Sequence, residues 1–128
     1  MRVEGLGHVN IRTPDFDATI AFYERAVGLT AGPAASASMR PQNVWLHDAA
    51  GRPIIHVNGP LPGEVANPAG AGCRLDHFAM DCEGLDDCMG RLDAEAIPFE
   101  RVRIEVRGMT QLNIYDPNGI KVELTFLD

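Results

Sequence analysis

The first half of the chain begins with alternating polar and apolar positions and then changes to a helical period. His8, Asn10 and Arg12 alternate with Val9 and Ile11, which is the period-two pattern of a strand with two different faces. This pattern predicts a strand within residues 3–12. Its polar side chains are expected to share one face of the sheet.

An amphipathic helix is predicted to follow this strand. Thr13 and Pro14 suit an N-cap and a first helical position, and Gly28 is typical of a helix end. Between them the apolar positions recur at helical spacing, at Phe16, Ile20, Tyr23 and Val27. A helix with one such stripe covers one side of a sheet.

The remainder of the first half predicts short strands and a linker. Residues 30–42 are rich in glycine, proline and small side chains, so any strand there is short or irregular. Segments 43–47 and 52–58 flank an Asp-Ala-Ala-Gly sequence and predict a hairpin. Residues 59–72 contain several prolines and glycines and are predicted to be a loop or linker.

The same order of elements recurs in the second half. Strand, helix, strand and a final hairpin are predicted at 75–82, 85–96, 99–106, 112–115 and 120–126. The hairpin turn is Asp-Pro-Asn-Gly, whose residues supply the backbone angles of a tight turn. The sequence therefore predicts one α+β domain over residues 1–128. Module 1 is expected at about 1–58, the linker at 59–72 and module 2 at about 73–128.

Chemically special residues keep their positions in this internal repeat. His8 and His77 are 69 residues apart, and His56 and Glu123 are 67 residues apart. Each half thus places one candidate ligand on its first strand and another on its last. Two halves related by a pseudo-twofold axis would bring the four side chains toward one point.

Composition and charge limit the classes of partner. The chain has 128 residues, of which 11 are basic and 18 acidic, and a formal charge of −7. Nucleic acids and anionic membrane surfaces are therefore not expected as partners. The sequence has no apolar run typical of a signal peptide or transmembrane helix, which predicts a cytoplasmic protein. Three cysteines without CxxC spacing predict free thiols.

His8, His77 and Glu123 are the candidate metal ligands. Glu123 lies within an apolar strand, where a carboxylate is costly unless it faces water, a partner or a cation. Two neutral imidazoles and one carboxylate form a facial triad that leaves positions open on a divalent metal. The alternative is that Glu123 lines a solvated sheet face together with Lys121 and Thr125.

Three stretches of the chain resemble the vicinal oxygen chelate superfamily, which holds glyoxalases, bleomycin resistance proteins and extradiol dioxygenases. They are Leu6 to Ile11, Leu75 to Met80 and Tyr115 to Leu124, and the Asp-Pro-Asn-Gly turn followed by a glutamate is the most specific feature. The resemblance covers nearly the whole chain. It implies two βαβββ modules that form a cupped mixed sheet around one divalent ion, held by the triad named above. Fe, Mn, Zn and Ni all suit such ligands.

His56 separates the branches of this superfamily. Glyoxalases and epimerases generally have glutamate or glutamine there, whereas histidine suits a fourth ligand or the acid–base role found in extradiol dioxygenases. The resemblance therefore favours a dioxygenase-like reaction. Extradiol dioxygenases usually carry a tyrosine where this chain has Asn113, and Tyr115 is expected to substitute for it in part.

The other branches make different demands on the sequence. Thiol transferases of the fosfomycin-resistance type recognise phosphonate with basic residues, for which Arg101, Arg103 and Arg107 are candidates. Arg101 and Arg103 alternate with apolar residues, however, which favours a solvated strand face. Bleomycin-binding members bind drugs without catalysis and lack the metal ligands. A glyoxalase-like lyase or isomerase stays open as an alternative.

These observations predict a metal-dependent enzyme whose small oxygen-bearing substrate chelates the ion through adjacent oxygens. His56 is expected to move a proton or to complete the coordination shell. Trp45 and His47 share a strand face and are expected to contact the substrate with Asn113 and Tyr115. A packed tryptophan beside a surface histidine is the alternative at the first two positions. A homodimer is expected.

Overall fold

The computed structural model describes residues 1–33, 40–65 and 74–127. The chain divides into two compact units, residues 1–24 with 28–66 and residues 25–27 with 67–128. Each unit contains a four-stranded sheet. In the ranges that the structure describes, no helix combines the length and the apolar character that a membrane span requires.

The first unit contains the elements β1 (Val9–Arg12), α1 (Phe16–Phe22), a π-helical continuation (Tyr23–Val27), β2 (Thr30–Pro33), β3 (Asn43–His47) and β4 (Pro53–Asn58). Its strands form a mixed sheet with the order β1-β4-β3-β2. Strands β1 and β4 run parallel, and the other neighbours are antiparallel. Helix α1 packs against β4.

The beginning of the chain differs from the prediction in two places. The ladder between β1 and β4 starts at Val9, so residues 3–8 precede the strand, where Gly5 and Gly7 favour irregular backbone. Helix α1 starts at Phe16 instead of Pro14, because Thr13 Oγ1 accepts the Asp15 amide proton at 2.9 Å and forms a local turn.

Gly28 ends the helical segment, as predicted. Its φ of 82° lies in the left-handed region, and its amide donates to the carbonyl of Tyr23. Phe16 and Tyr23, members of the predicted apolar stripe, are buried, and Ile20 and Val27 are half-buried.

The second unit repeats this architecture. Its elements are β5 (His77–Cys82), α2 (Leu85–Ala94), β6 (Glu100–Ile104), a short 3₁₀ turn (Glu105–Arg107), β7 (Met109–Tyr115) and β8 (Lys121–Leu127). Its strand order is β5-β8-β7-β6, with β5 and β8 parallel and the other pairs antiparallel. The predicted pair of βαβββ modules is thereby confirmed.

The tight turn between β7 and β8 is organised by its aspartate. Asp116 is buried, and its Oδ1 accepts the amide protons of Asn118 and Ile120, each at 2.9 Å. Gly119 adopts a φ of 75°, which a residue with a Cβ rarely does. The turn therefore fixes the register in which β8 returns along β7.

Each sheet uses one face for the hydrophobic core and leaves the other face polar. In the second unit the core face carries Leu112, Ile114, Val122 and Leu124, all fully buried. In the first unit Leu46, Ile55 and Val57 occupy the corresponding face and are also fully buried. Because side chains alternate along a strand, the predicted site residues of each unit lie on the opposite face from these core residues.

The predicted linker 59–72 is described in its first half only, since residues 66–72 lie outside the described ranges. The carboxylate of Glu64 binds Arg40 at 2.6 Å, Arg12 at 2.7 Å and the Leu61 amide at 2.8 Å. The Gly59 amide donates to the Gln42 carbonyl at 3.1 Å. Residues 59–65 are thus fastened to the first unit by ionic and backbone bonds.

Candidate functional site

His77 and Glu123 lie on adjacent parallel strands of the second unit. Lys121 of β8 pairs with His77, and Ala79 of β5 pairs with Glu123, so both site residues project from the same face. His77 Nε2 is 3.9 Å from Glu123 Oε2. Sheet register thus brings together two of the three predicted metal ligands.

The ring of His77 is oriented by the carboxylate that precedes it. His77 Nδ1 lies 2.8 Å from Asp76 Oδ2. Because a carboxylate only accepts, Nδ1 carries a proton, and in the neutral ring the lone pair is then on Nε2. The same hydrogen bond is the main cause that lowers the pKa of Asp76 below its ordinary value. A histidine held in this way presents Nε2 as a ligand atom.

The carboxylate of Glu123 is held on one of its two oxygens. Gln111 Nε2 donates to Glu123 Oε1 at 2.6 Å, while Oε2 is the oxygen that faces His77. The Glu123 side chain keeps 16% of its exposure, so it is largely desolvated and still reachable. A largely desolvated carboxylate of this kind gains from a nearby cation.

The donor atoms of this pair fit a divalent metal ion. Ligand bonds of about 2.0–2.2 Å at the angles between neighbouring ligands place two ligand atoms on one ion roughly 2.8–3.6 Å apart. His77 Nε2 and Glu123 Oε2 are separated by 3.9 Å, so the two side chains would close by a few tenths of an ångström around a shared ion. One nitrogen and one oxygen are also the donor types that first-row metals accept.

Asn113 and Tyr115 lie on the same strand face as Glu123. Asn113 pairs directly with Glu123 and is buried, and its Oδ1 has no hydrogen-bond partner among the residues that the structure describes. A buried oxygen without a hydrogen bond destabilises the fold by about 1–3 kcal/mol. Such an atom in a folded protein calls for an explanation, and a functional role is one. Tyr115 pairs with Lys121 near the turn and is exposed.

The first unit brings His8, Trp45 and His56 into one aromatic cluster. The rings of Trp45 and His56 are stacked, with centroids 4.5 Å apart and an interplanar angle of 5°. His8 meets Trp45 edge-on at 4.7 Å, and its centroid is 6.5 Å from that of His56. Trp45 pairs with His56 across β3 and β4, which explains why their rings meet.

The surroundings of His56 favour the neutral form of its imidazole. Its Nε2 donates to the side-chain oxygen of Asn43, so Nδ1 carries the lone pair. Burial lowers the pKa of His56 below its ordinary value, and the neighbouring His8 acts in the same direction. A neutral imidazole at neutral pH is able to accept a proton or to bind a metal.

His47 lies on the same face of β3 as Trp45, but its ring leans away from the cluster toward β2. It pairs with Thr30 of β2, and its Nδ1 lies 3.3 Å from the Thr30 carbonyl oxygen. The ring also covers Gly32, where an added Cβ would come within 2.8 Å of it. The observed contacts of His47 are thus with β2, while Trp45 contacts the histidines.

The three arginines proposed for phosphonate recognition are exposed. Val102 pairs with Gln111, and Gln111 binds Glu123. By strand alternation Arg101 and Arg103 therefore project from the face opposite to Glu123. This placement agrees with the solvated strand face that their spacing favours.

The predicted ligands are thus found as pairs, one pair in each unit. Among the residues that the structure describes, no group of three or more His, Cys, Asp or Glu side chains is placed to hold one metal ion. Sequence reasoning missed the supporting residues Asn43, Asp76 and Gln111. Asp76 had one signal, its position directly before His77; the two amides had none until the strand register was known.

Comparisons with known proteins describe what this chain resembles. A family model for the Glyoxalase/Bleomycin resistance protein/Dioxygenase superfamily matches residues 5–124. A search of the curated proteins found no match.

Several solved structures are similar over the whole chain. A glyoxalase/dioxygenase from Nostoc punctiforme has a TM-score of 0.74 and 17% identity, covering 98% of this chain and 92% of its own. Lactoylglutathione lyase from Agrobacterium tumefaciens has a TM-score of 0.68 and 22% identity, covering 98% and 96%. The fosfomycin resistance protein FosX from Listeria monocytogenes has a TM-score of 0.67 and 18% identity, covering 96% and 91%. At these identities the likeness concerns the fold.

Proposed function

Because the chain belongs to the Glyoxalase/Bleomycin resistance protein/Dioxygenase superfamily, we propose that it is a metal-dependent enzyme of the vicinal oxygen chelate type. His77, Glu123 and His8 would hold one divalent ion. The observation that carries the proposal is the approach of His77 Nε2 to Glu123 Oε2 at 3.9 Å, with the other polar atom of each side chain engaged by a neighbour.

The proposed substrate is a small metabolite with two adjacent oxygens that chelate the ion. A bound divalent ion would act as a Lewis acid and lower the pKa of the chelating oxygens. Asn113 lies beside Glu123 with an unsatisfied buried oxygen, so we assign it a contact with a donor group of the substrate. Tyr115 is assigned a contact near the turn, where it is exposed.

His56 is the proposed acid–base residue of the first unit. Its Nε2 is engaged by Asn43, so Nδ1 is the atom that would accept a proton from the substrate or complete the coordination shell. Trp45 stacks on His56 and limits its movement. A histidine in this role favours dioxygenase-like chemistry.

A lyase or isomerase of the glyoxalase type is the second candidate. Burial lowers the pKa of His56, and a neutral His56 would also serve this reaction, since proton transfer beside a carbonyl needs a base. It ranks second because glyoxalases generally carry glutamate or glutamine at this position. Thiol transfer ranks lower because Arg101 and Arg103 project away from Glu123. A drug-binding protein without catalysis ranks lowest, because the ligand residues are present.

The first test is elemental analysis of protein purified anaerobically without added metal. We expect one ion per site in the wild type and its loss in His77→Ala. His47→Ala is the matched control and should keep the ion, since His47 contacts β2. Iron or manganese would direct assays to oxygen consumption with catechols and hydroquinones, and nickel or zinc to isomerase chemistry. No metal in the wild type, even after reconstitution, would overturn the proposal.

The assembly is a further part of the proposal. In this superfamily the two modules close on each other within one chain or are exchanged between two chains, and the central linker permits either arrangement in a homodimer. Light scattering of the purified chain measures its mass in solution, and a monomeric mass would remove the homodimer from the proposal without affecting the metal site.

A further inference from the structure

The carboxylate of Glu123 and its supporting amide occupy a fixed geometry on two neighbouring strands. Asn113 of β7 pairs with Glu123 of β8. Gln111 lies two residues before Asn113 on β7, on the same face, and its Nε2 donates to Glu123 Oε1 at 2.6 Å. The supporting residue is thus the diagonal cross-strand neighbour of the residue that it holds.

The first unit repeats this geometry with different side chains. Trp45 of β3 pairs with His56 of β4. Asn43 lies two residues before Trp45 on β3, and its Oδ1 accepts a hydrogen bond from His56 Nε2. Asn43 is therefore the diagonal neighbour of His56 in the same sense as Gln111 is of Glu123.

We propose that Asn43 and Gln111 are equivalent positioning residues, one in each module, which orient the last-strand site residue and leave its second polar atom free. The inference rests on the proposed metal site and deepens it. The internal repeat is thereby extended from the ligand positions to the residues that support them.

The chemistry of the two amides explains why each is suited to its partner. Gln111 donates a hydrogen bond to one carboxylate oxygen of Glu123, and the other oxygen, Oε2, keeps its lone pairs for a different partner. Asn43 offers its oxygen and so selects the tautomer of His56 that is protonated on Nε2. In both units the second polar atom, Oε2 of Glu123 or Nδ1 of His56, carries a lone pair that can bind a cation or accept a proton.

The test for Gln111 is the affinity of the metal-free protein for Zn²⁺, measured by titration calorimetry. Gln111→Met keeps the length of the side chain and removes the donor, so the affinity should fall roughly 10–100-fold. Arg101→Met is the matched control on the opposite face of the sheet and should bind as the wild type does. Equal affinities of Gln111→Met and the wild type would overturn the role of Gln111. Thermal unfolding of each variant shows that it is folded.

The test for Asn43 is the imidazole N–H signal of His56 in proton NMR, recorded above the ordinary histidine pKa of about 6.5. Exchange of this proton with water should be slow in the wild type and in Asn43→Asp, which keeps an acceptor oxygen. It should be fast in Asn43→Leu, which has none. A signal that persists unchanged in Asn43→Leu would overturn the role of Asn43.

The two measurements separate this inference from the proposed function. If the wild type fails to bind Zn²⁺, the metal proposal fails, while the NMR comparison still decides whether Asn43 positions His56. If the wild type binds Zn²⁺ and neither amide matters, the positioning inference alone is overturned.

Discussion

The two units carry sheets of the same order and direction, yet the polar faces of those sheets differ in chemistry. The second unit places a carboxylate and an imidazole side by side, each tied by one short hydrogen bond. The first unit places two imidazoles around a tryptophan, with stacked rings and lower charge. A duplicated frame has therefore kept the positions of its site residues while their character diverged.

Under the proposed function, this difference would assign metal binding mainly to the second unit and proton transfer to the first. A carboxylate is the stronger attraction for a cation, whereas a neutral, half-buried imidazole is better suited to moving a proton near neutral pH. Substitutions in the hydrophobic core should have similar effects in both units, whereas substitutions of the site residues should have different effects.

Removal of a central core side chain should destabilise both units by similar amounts. Ile114 and Leu46 occupy corresponding positions on the core faces and are fully buried. Ile114→Ala and Leu46→Ala should each lower the free energy of unfolding by about 2–5 kcal/mol, measured by urea unfolding. A small effect for one of them alone would show that the two cores are not equivalent.

Removal of the site residues should affect metal binding unequally. Glu123→Ala removes the carboxylate and should weaken Zn²⁺ binding by more than the roughly 100-fold upper range of a supporting residue. His56→Ala removes a neutral ring and should weaken it less. Titration of both metal-free variants measures the ratio, and a larger loss for His56→Ala would reverse this assignment of metal binding to the second unit.

The tight turns of the two units should also differ. Asp116 is buried and accepts two backbone amides, so Asp116→Ala should cost roughly 1.5–3 kcal/mol of unfolding free energy. Asp48 makes the same two kinds of contact, with the amides of Ala50 and Arg52, in a more exposed turn. Asp48→Ala should lower the unfolding free energy by less than Asp116→Ala does. Chemical denaturation of the two variants measures both losses, and a larger loss for Asp48→Ala would contradict this expectation.

The smallest predicted effect concerns the acid sensitivity of the first unit. Hydrogen bonding by Arg40, with help from the Leu61 amide and Arg12, lowers the pKa of Glu64 from 4.5 to about 2. A lowered pKa stabilises the fold above pH 4.5, and this contribution is lost as the pH falls from 4.5 toward 2. Glu64→Gln should therefore flatten the loss of stability over that interval. The measurement is the unfolding free energy as a function of pH. Parallel curves for the variant and the wild type would show that the ion pairs of Glu64 do not contribute to stability.

The parts of the fold that could be predicted from sequence are those set by local chemistry. The Asp-Pro-Asn-Gly turn, the left-handed Gly28 and the alternation along β8 each depend on residues close in sequence. The repeat of special residues followed from spacing alone. These features predict the order of the helices and strands, whose predicted ends differ from the observed ends by a few residues.

The parts that could not be predicted depend on pairing between distant segments. The stacking of Trp45 on His56 and the bond from Gln111 to Glu123 require the register of two strands. The π-helical continuation at Tyr23–Val27 has no marker in the apolar period, since the same spacing also fits a regular α-helix. Thr13 was expected to cap a helix and instead forms a turn with Asp15, because both uses employ the same hydroxyl acceptor.

The parallel pairing of the first and last strands within each module has a kinetic consequence. His77 and Glu123 belong to strands that are neighbours in the sheet but lie at opposite ends of their module in sequence, with α2, β6 and β7 between them along the chain. Contacts of such long sequence separation form slowly, because loop closure must be completed before they stabilise the chain. An ion that needs both residues would bind the finished module and not its intermediates, so the rate at which it is captured during refolding measures when the last strand closes.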